Sequence, residues 1–334
     1  MKIFFIILIC IMAIILSCGS DQSTAPHIPL RVATEFSHCI CCACVAYEKG
    51  WYQKEGFEIK TYQSYVTGEA LSSALGGGYI DVAYVGLIPA IEACSTGTTP
   101  LKIVSGIYRY GYGLVARPGK LKNIKDLETE HTSIGCSREG SGADVFLQKT
   151  IEAYRLDSKR VIRNIVRMKP HQMLIALRKG ELDAVFVPEH RVSMAEGYGF
   201  KTMLTCKDVP PCIFGAVLVV KESLIKENPE AVRRLVHLNR RTIDYIKSRP
   251  ADAAIITSRH LSLRMKQTAQ REFIEKNDIM EITPEMCLLA TKRVEYNHSI
   301  DKQNIQEAID CLTRLKFIKK PAKAEDIVET RFLD

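Results

Sequence analysis

A histidine and four cysteines lie within seven consecutive residues near the start of the chain, at His38, Cys39, Cys41, Cys42 and Cys44. Closely spaced thiolates suit soft cations and iron–sulfur centres, and a helix N-terminus lowers the pKa of a thiol. Cys41 and Cys44 stand three residues apart, which places them on one side of a helical turn, where His38 or Cys39 can complete a ligand set. The segment therefore indicates a metal or cluster site at His38, Cys41, Cys42 and Cys44. Because the spacing is not that of a standard zinc site, the identity of the metal stays open.

Two other interpretations of these cysteines stay open. The chain has 12 cysteines, and ten are left once Cys10 is removed with an export signal and Cys18 is lipidated. An even number is compatible with disulfides in an oxidising compartment, although neighbouring Cys41 and Cys42 cannot pair without strain. The third interpretation is that the thiols are small, reduced core residues.

The second candidate site is the glycine- and serine-rich segment from Cys136 to Gly142. Backbone N–H groups at a helix N-terminus, together with the hydroxyls of Ser137 and Ser141, can hold an anionic group. Cys136 could face the cysteine segment across a cleft, and the ligand would then be metallic, sulfurous or thiol-reactive. The alternative is an ordinary strand-to-helix loop with a serine cap.

The elements that position these residues alternate between strands and helices. Apolar residues alternate along the strand that starts at Leu30, and glycine or proline ends several of the segments that follow. This alternation of strands and helices predicts the α/β class, with a mostly parallel sheet flanked by helices in each lobe. The later predicted strands are 57–62, 80–85, 101–107, 132–135, 161–166, 184–187 and 215–220.

Loops at the carboxyl ends of the strands are the expected place for a ligand, because open α/β sheets bind small molecules there, often at helix N-termini. The loops at Thr67-Gly68 and at Gly86 meet this description. We therefore predict ligand contacts at Thr67, Gly68 and Gly86, in addition to the two segments above.

The length of 334 residues suits two lobes of ordinary domain size. The sequence after strand 215–220 is helical, and a lobe without strands cannot form its own sheet. We therefore predict a first lobe formed by 30–115 and 215–334, a second lobe formed by 116–214, and a hinge of two strands between them.

The start of the chain predicts an export signal over 1–17, because Lys2 precedes an apolar run shorter than the roughly 20 residues that a membrane-spanning helix needs. Ile15-Leu16-Ser17-Cys18 resembles the bacterial lipobox, in which cleavage leaves a lipidated cysteine. Cys18 is therefore the predicted lipid anchor, 18–29 the predicted tether, and the periplasm or the outer face of the cell membrane the predicted location. Ordinary cleavage without a lipid is the alternative.

The composition excludes several classes of protein. Hydrophobic residues make up 46% of the chain and charged residues 25%, which is typical of globular proteins and not of disordered or polytopic membrane chains. The net charge of +8 is spread along the chain without a Lys/Arg block, so nucleic acid is not a predicted partner. A mild preference for anions is what the charge suggests.

Four segments resemble, in order, the nitrate, sulfonate, taurine and thiamine-pyrimidine-precursor branch of the type II periplasmic binding proteins. They are KGWYQKEGF at 49–57, DVAYVG at 81–86, ALRKGELDA at 176–184 and NPEAV at 228–232. The resemblance implies a two-lobed clamp of the type II periplasmic-binding-protein fold, and a monomer that delivers its ligand to an ABC permease and its ATPase. It also implies cleft contacts from Glu189 and His190 of the second lobe, and an ordinary surface turn at these two residues is the alternative.

Uptake of a solute, without catalysis, is the function that these features predict. The ligand is either a soft metal, metal complex or sulfur-containing species held by the cysteines, or an anion such as a sulfonate, nitrate or a pyrimidine precursor. A metal-dependent enzyme and a metal store or sensor are the other classes. The related pyrimidine-precursor synthases carry a cysteine run before the returning strand, where this chain has only Cys212, so their activity is not carried over.

Overall fold

The computed structural model describes residues 27–36, 40–210, 215–320 and 322–334. Its strands are β1 (Ile28–Glu35), β2 (Phe57–Tyr65), β3 (Val82–Gly86), β4 (Leu101–Arg109), β5 (Tyr112–Ala116), β6 (Ile134–Cys136), β7 (Ile165–Arg167), β8 (Ala184–Pro188), β9 (Lys201–Thr205), β10 (Gly215–Lys221) and β11 (Glu295–Tyr296). Its helices are α1 (Ile40–Glu48), α2 (Trp51–Lys54), α3 (Gly68–Gly76), α4 (Leu87–Thr96), α5 (Gly142–Ala153), α6 (Ser158–Arg163), α7 (Pro170–Lys179), α8 (Glu189–Gly197), α9 (Glu222–Glu227), α10 (Pro229–Ser248), α11 (Pro250–Arg271), α12 (Pro284–Arg293), α13 (Lys302–Arg314) and α14 (Ala324–Ile327). Within the described ranges, no helix combines the length and the apolar character that crossing a membrane requires.

The first sheet has six strands in the order β11-β4-β10-β3-β1-β2. β1 pairs in parallel with β2 and β3, and β10 pairs antiparallel with β3 and β4, so β1 to β4 point the same way. The carboxylate of Asp81, just before β3, forms ion pairs with Arg31 of β1 at 2.6 Å and with Lys221 of β10 at 3.0 Å. Burial alone would raise the pKa of Asp81, but these two cations outweigh it and lower the pKa to about 2. This ion-pair cluster joins three neighbouring strands at the edge opposite to their carboxyl ends.

The second sheet has five strands in the order β7-β6-β8-β5-β9. β6 pairs in parallel with β7 and β8, whereas β5 runs antiparallel to β8 and β9. Each sheet with its flanking helices forms a lobe, which we call the first lobe and the second lobe. The predicted α/β class with two lobes is confirmed, and in each sheet a majority of strands point one way, with β10 and β11 in one sheet and β5 in the other reversed.

The chain changes sheet after β4, at Tyr110 and Gly111. Both residues have positive φ, 71° and 128°, so the extended strand cannot continue through them. β5 then lies wholly in the second sheet, and the predicted lobe boundary at residue 115 falls within it. The chain returns after β9 and enters the first sheet as β10, between β3 and β4.

The predicted strand 161–166 is wrong over its first part, because 158–163 forms helix α6. The Asp157 carboxylate caps this helix by accepting the N–H groups of Lys159 and Arg160, which satisfies donors that an extended chain would leave open. Val161 is buried on the inner side of the helix. β7 therefore begins only at Ile165, and its short length brings Arg167 to the carboxyl edge of the sheet.

Candidate ligand-binding cleft

A cleft of about 290 Å³ separates the two lobes at the carboxyl ends of their strands. The first lobe contributes the end of β1, the loop between β2 and α3, and the outer side of α4. The second lobe contributes the loop between β6 and α5, the segment after β7, and the start of α8. This is the place that the alternation of strands and helices predicts for a ligand.

Five of the predicted site residues line this cleft, namely Thr67, Gly68, Ser137, Ser141 and Gly142. Two of their hydroxyls also act as helix caps: Thr67 accepts the N–H of Ala70, and Ser141 accepts the N–H of Asp144 at 3.3 Å. The Ser cap that the sequence offered as an alternative is therefore present, and the same loop also faces the cleft. At Gly142 a Cβ would lie 2.2 Å from the Tyr112 hydroxyl, so a side chain there would force Tyr112 or the start of α5 to shift.

Arg191 lies in the wall of the cleft, on the second lobe, and the sequence analysis missed it. Its side chain is only 3% exposed, and its guanidinium lies 5.8 Å from the centre of the Phe36 ring. Its Nε has no hydrogen-bond partner, and within the described ranges Arg191 forms no ion pair. Burial alone lowers the pKa of Arg191 to about 10, which leaves the group charged at neutral pH. Such a cation is ready to bind an anion.

Glu189 and His190 are buried next to Arg191 but do not line the cleft. The Glu189 carboxylate accepts the Ser193 hydroxyl at 2.8 Å and pairs with Arg293 at 3.3 Å. Burial raises its pKa to about 7, against the opposing effect of Arg293. The His190 ring meets Phe36 edge to face at 6.1 Å. In this structure both residues support the helix that carries Arg191, and a direct contact with a ligand stays a prediction.

Glu35, at the end of β1, is the acidic counterpart on the first lobe. Its carboxylate accepts the N–H of Gly86 at 3.0 Å and also that of Gly68. Burial raises the pKa of Glu35, and these two N–H groups oppose the shift. The backbone N–H groups of Gly68 and Gly86, where the sequence analysis predicted ligand contacts, are thus occupied by a side chain of the protein. A pattern of glycines could not show this, because it depends on where β1 ends.

Arg138 joins the two lobes across one end of the cleft. Its Nε lies 2.6 Å from the carboxylate of Glu69 on α3, and one terminal nitrogen lies 3.1 Å from both carboxylate oxygens of Glu92 on α4. Arg138 belongs to the loop before α5 in the second lobe. In the state described here, the lobes are therefore held together by a three-residue ion-pair cluster.

The cysteines of α1 lie in the core of the first lobe and not in the cleft wall. Cys41, Cys42 and Cys44 are fully buried, and the Thr257 hydroxyl of α11 lies 3.1 Å from the Cys41 sulfur and 3.9 Å from that of Cys44. Burial raises the pKa of Cys41 and Cys44, and that of Cys136 behind the cleft, so these thiols are neutral.

Over the described residues, the structure contains no group of three or more His, Cys, Asp or Glu side chains placed to hold a metal ion. His38 and Cys39, and the predicted anchor Cys18, lie outside those residues. Coordination of a metal by the complete cysteine segment therefore stays a prediction. Its described members, Cys41, Cys42 and Cys44, pack in the core of the first lobe.

We expect Cys41, Cys42 and Cys44 to be unreactive in the folded protein, because thiolates react, all three side chains are buried, and burial raises the pKa of Cys41 and Cys44. In a Cys39→Ser/Cys212→Ser variant at pH 8, a thiol reagent should label these three only after denaturant is added, as mass mapping will show. Elemental analysis of the unsubstituted protein is the companion measurement. Stoichiometric metal that disappears in a Cys41→Ser/Cys44→Ser variant would contradict the packing role.

The two lobes, the reversed strand that returns between β3 and β4, and the cleft at the strand ends define a type II periplasmic-binding-protein fold. The chain belongs to the NMT1-like family, whose model matches residues 24–260. The resemblance seen in the sequence motifs is confirmed by this match.

Solved structures show the same fold. The ligand-binding component of an ABC-type import system from Staphylococcus aureus, with zinc bound, is 16% identical and superimposes with a TM-score of 0.72 over 92% of this chain and 98% of that one. The alkanesulfonate-binding protein of Xanthomonas axonopodis pv. citri, bound to MOPS, is 15% identical, with a TM-score of 0.69 over 92% and 100%. The nitrate-binding protein of Synechocystis PCC 6803 is 14% identical, with a TM-score of 0.69 over 92% and 88%. These three are binding proteins and not enzymes.

A protein of Brucella abortus is 23% identical over 263 residues, which cover 75% of this chain and 77% of that protein. Its name proposes a binding function without a ligand. A Brucella suis protein matches to the same extent.

Proposed function

We propose that this protein is the solute-binding component of an ABC importer and that it binds a small anion in the cleft between its lobes. The observation that carries the proposal is Arg191, a buried guanidinium in the cleft wall with no ion-pair partner in the described parts of the chain. A buried charge without a partner costs several kcal/mol. An anion bound at Arg191 removes that cost.

The surroundings of Arg191 suit an anion. The start of α5 lies on the same wall, and its backbone N–H groups carry a partial positive charge that attracts anions. The Ser137 side chain lines the same wall, and its hydroxyl can donate to an anion. A cleft of about 290 Å³ is close to the lower end of small-molecule sites.

The proposed setting is that of an importer. The three solved structures above are named for binding or import of a solute, which supports delivery to a permease and its ATPase. We propose that the chain is exported, anchored through a lipid on Cys18, tethered by 18–29, and works as a monomer. A soft metal or sulfur-containing ligand at the cysteine segment is the alternative, and the thiol and metal measurements above test it.

A panel of small anions tests the proposal. Nitrate, sulfate, short alkanesulfonates and short carboxylates should be titrated by calorimetry, with the melting temperature measured in parallel. We expect at least one anion to bind and to raise the melting temperature. A ligand present at 100 times its Kd adds about 2.7 kcal/mol to the free energy of unfolding. Binding of zinc or copper ions at the cleft, with no response to any anion, would overturn the proposal.

A further inference from the structure

The two walls of the cleft carry opposite charges. Its described lining residues include three carboxylates from the first lobe and no cation, and four cations from the second lobe and no carboxylate. We call these sets the acidic wall, which is Glu35, Glu69 and Glu92, and the basic wall, which is Arg138, Arg167, Lys169 and Arg191.

Most of these charges are neutralised inside the protein. Arg138 pairs with both Glu69 and Glu92 across the cleft. On the basic wall, Arg167 pairs with Asp144 at 2.6 Å and Lys169 with Glu272 at 2.8 Å. The ion pairs of the described residues therefore leave one carboxylate and one guanidinium without a partner of opposite charge.

Those two groups are Glu35 and Arg191. Both are buried, with exposed fractions of 9% and 3%, and both line the same cleft. They form no ion pair with each other, and both border the cleft that a bound molecule would occupy. Glu35 already accepts two backbone N–H groups, and an ionised carboxylate has about four acceptor positions. It can therefore accept further hydrogen bonds but donate none while it is ionised.

We propose that the ligand is a small zwitterion, with an ammonium group that binds Glu35 and an acidic group that binds Arg191. This inference rests on the proposed anion-binding function and adds the second charge. An anion alone would satisfy Arg191 but would leave the buried Glu35 without a cationic partner. A zwitterion neutralises both buried groups at once, and charge-assisted hydrogen bonds of this kind are the stronger ones.

Matched pairs of probes test the inference without any variant. ω-Amino acids from glycine to 5-aminovalerate should be compared by calorimetry at pH 7 with the alkanoates of the same chain length. We expect the best ω-amino acid to bind at least tenfold more tightly than its alkanoate. Several chain lengths are needed because the distance between Glu35 and Arg191 determines which ω-amino acid can reach both groups.

A Glu35→Gln variant tests the role of the carboxylate. Glutamine removes the charge and keeps one acceptor oxygen for the N–H groups of Gly68 and Gly86. We expect the affinity for the best ω-amino acid to fall at least tenfold, while that for its alkanoate falls less than about threefold or rises. Glu58→Gln is the matched control, because Glu58 is an exposed carboxylate on β2 that pairs only with Lys60 among the described residues. It should leave both affinities unchanged.

The outcomes separate this inference from the proposed function. If alkanoates or other simple anions bind as tightly as the ω-amino acids, the zwitterion is excluded and anion binding stands. If Glu35→Gln, checked for its melting temperature, keeps the preference for the amine, Glu35 is not its partner and the inference fails. If no anion and no ω-amino acid binds, both proposals fail.

Discussion

Replacing Arg191 with methionine should weaken anion binding by roughly 30-fold or more. Removal of one partner from a buried charge pair costs about 2–5 kcal/mol, and each 1.4 kcal/mol corresponds to a factor of about ten in Kd. The same change should leave the ligand-free protein as stable as before or more stable. Methionine fills a similar space beside Phe36, and exchange of a buried charge for a packed apolar side chain is often neutral or stabilising.

The two effects have opposite signs, and this distinguishes a binding residue from a structural one. Calorimetry with the best anion of the panel gives the Kd, and thermal unfolding without ligand gives the stability. Arg240→Met is the matched control, since Arg240 is an exposed arginine on α10, and it should change neither quantity. An Arg191→Met variant that binds normally would exclude Arg191 as the anion partner, and one that melts much earlier would indicate a structural role instead.

The sequence was informative where the signal was local. Alternation of strands and helices predicted the α/β class, and the loops at Thr67-Gly68 and 136–142 lie at the cleft because carboxyl ends of parallel strands meet at one edge. The error at 161–166 was also local, since the Asp157 cap outweighs the β-branched character of Val161 and its neighbours.

The charges of the cleft could not be predicted in this way. Arg191 follows Glu189 and His190 directly, yet nothing in three consecutive polar residues says which of them reaches the cleft. The outcome depends on α8 packing against Phe36, more than 150 residues earlier in the chain. Glu35 is similar, because its partners at Gly68 and Gly86 come from two other loops.

The cysteine segment is a clear sequence pattern, but its chemistry depends on whether the thiols are buried or exposed in the fold. The spacing of Cys41 and Cys44 on one side of a helix is present in α1. However, Thr257 of α11 covers both sulfurs, and burial keeps the thiols protonated. The same spacing at the exposed N-terminus of a helix would lower the pKa of the thiols instead, so composition alone favours a metal site that the described core residues do not form.

Arg138→Ala should shift the ligand-free protein towards an open arrangement of the lobes. The Arg138 cluster with Glu69 and Glu92 spans the cleft, and its side chains are 31–54% exposed. Partly exposed pairs contribute about 0.2–1 kcal/mol each, so losing both should change the ratio of closed to open molecules by roughly 30-fold at most. High salt should have a similar effect on the unsubstituted protein, because it screens such pairs.

Small-angle scattering without ligand measures this shift as a larger radius of gyration for the alanine variant. A charge exchange, Arg138→Glu combined with Glu92→Arg, should restore part of the compaction, since it rebuilds one pair across the cleft with reversed sign. Arg160→Ala is the control, because Arg160 pairs only with Asp157 on its own helix among the described residues. An unchanged radius of gyration for Arg138→Ala at low salt would show that the ion pairs of Arg138 form as a result of lobe closure and do not stabilise the closed state.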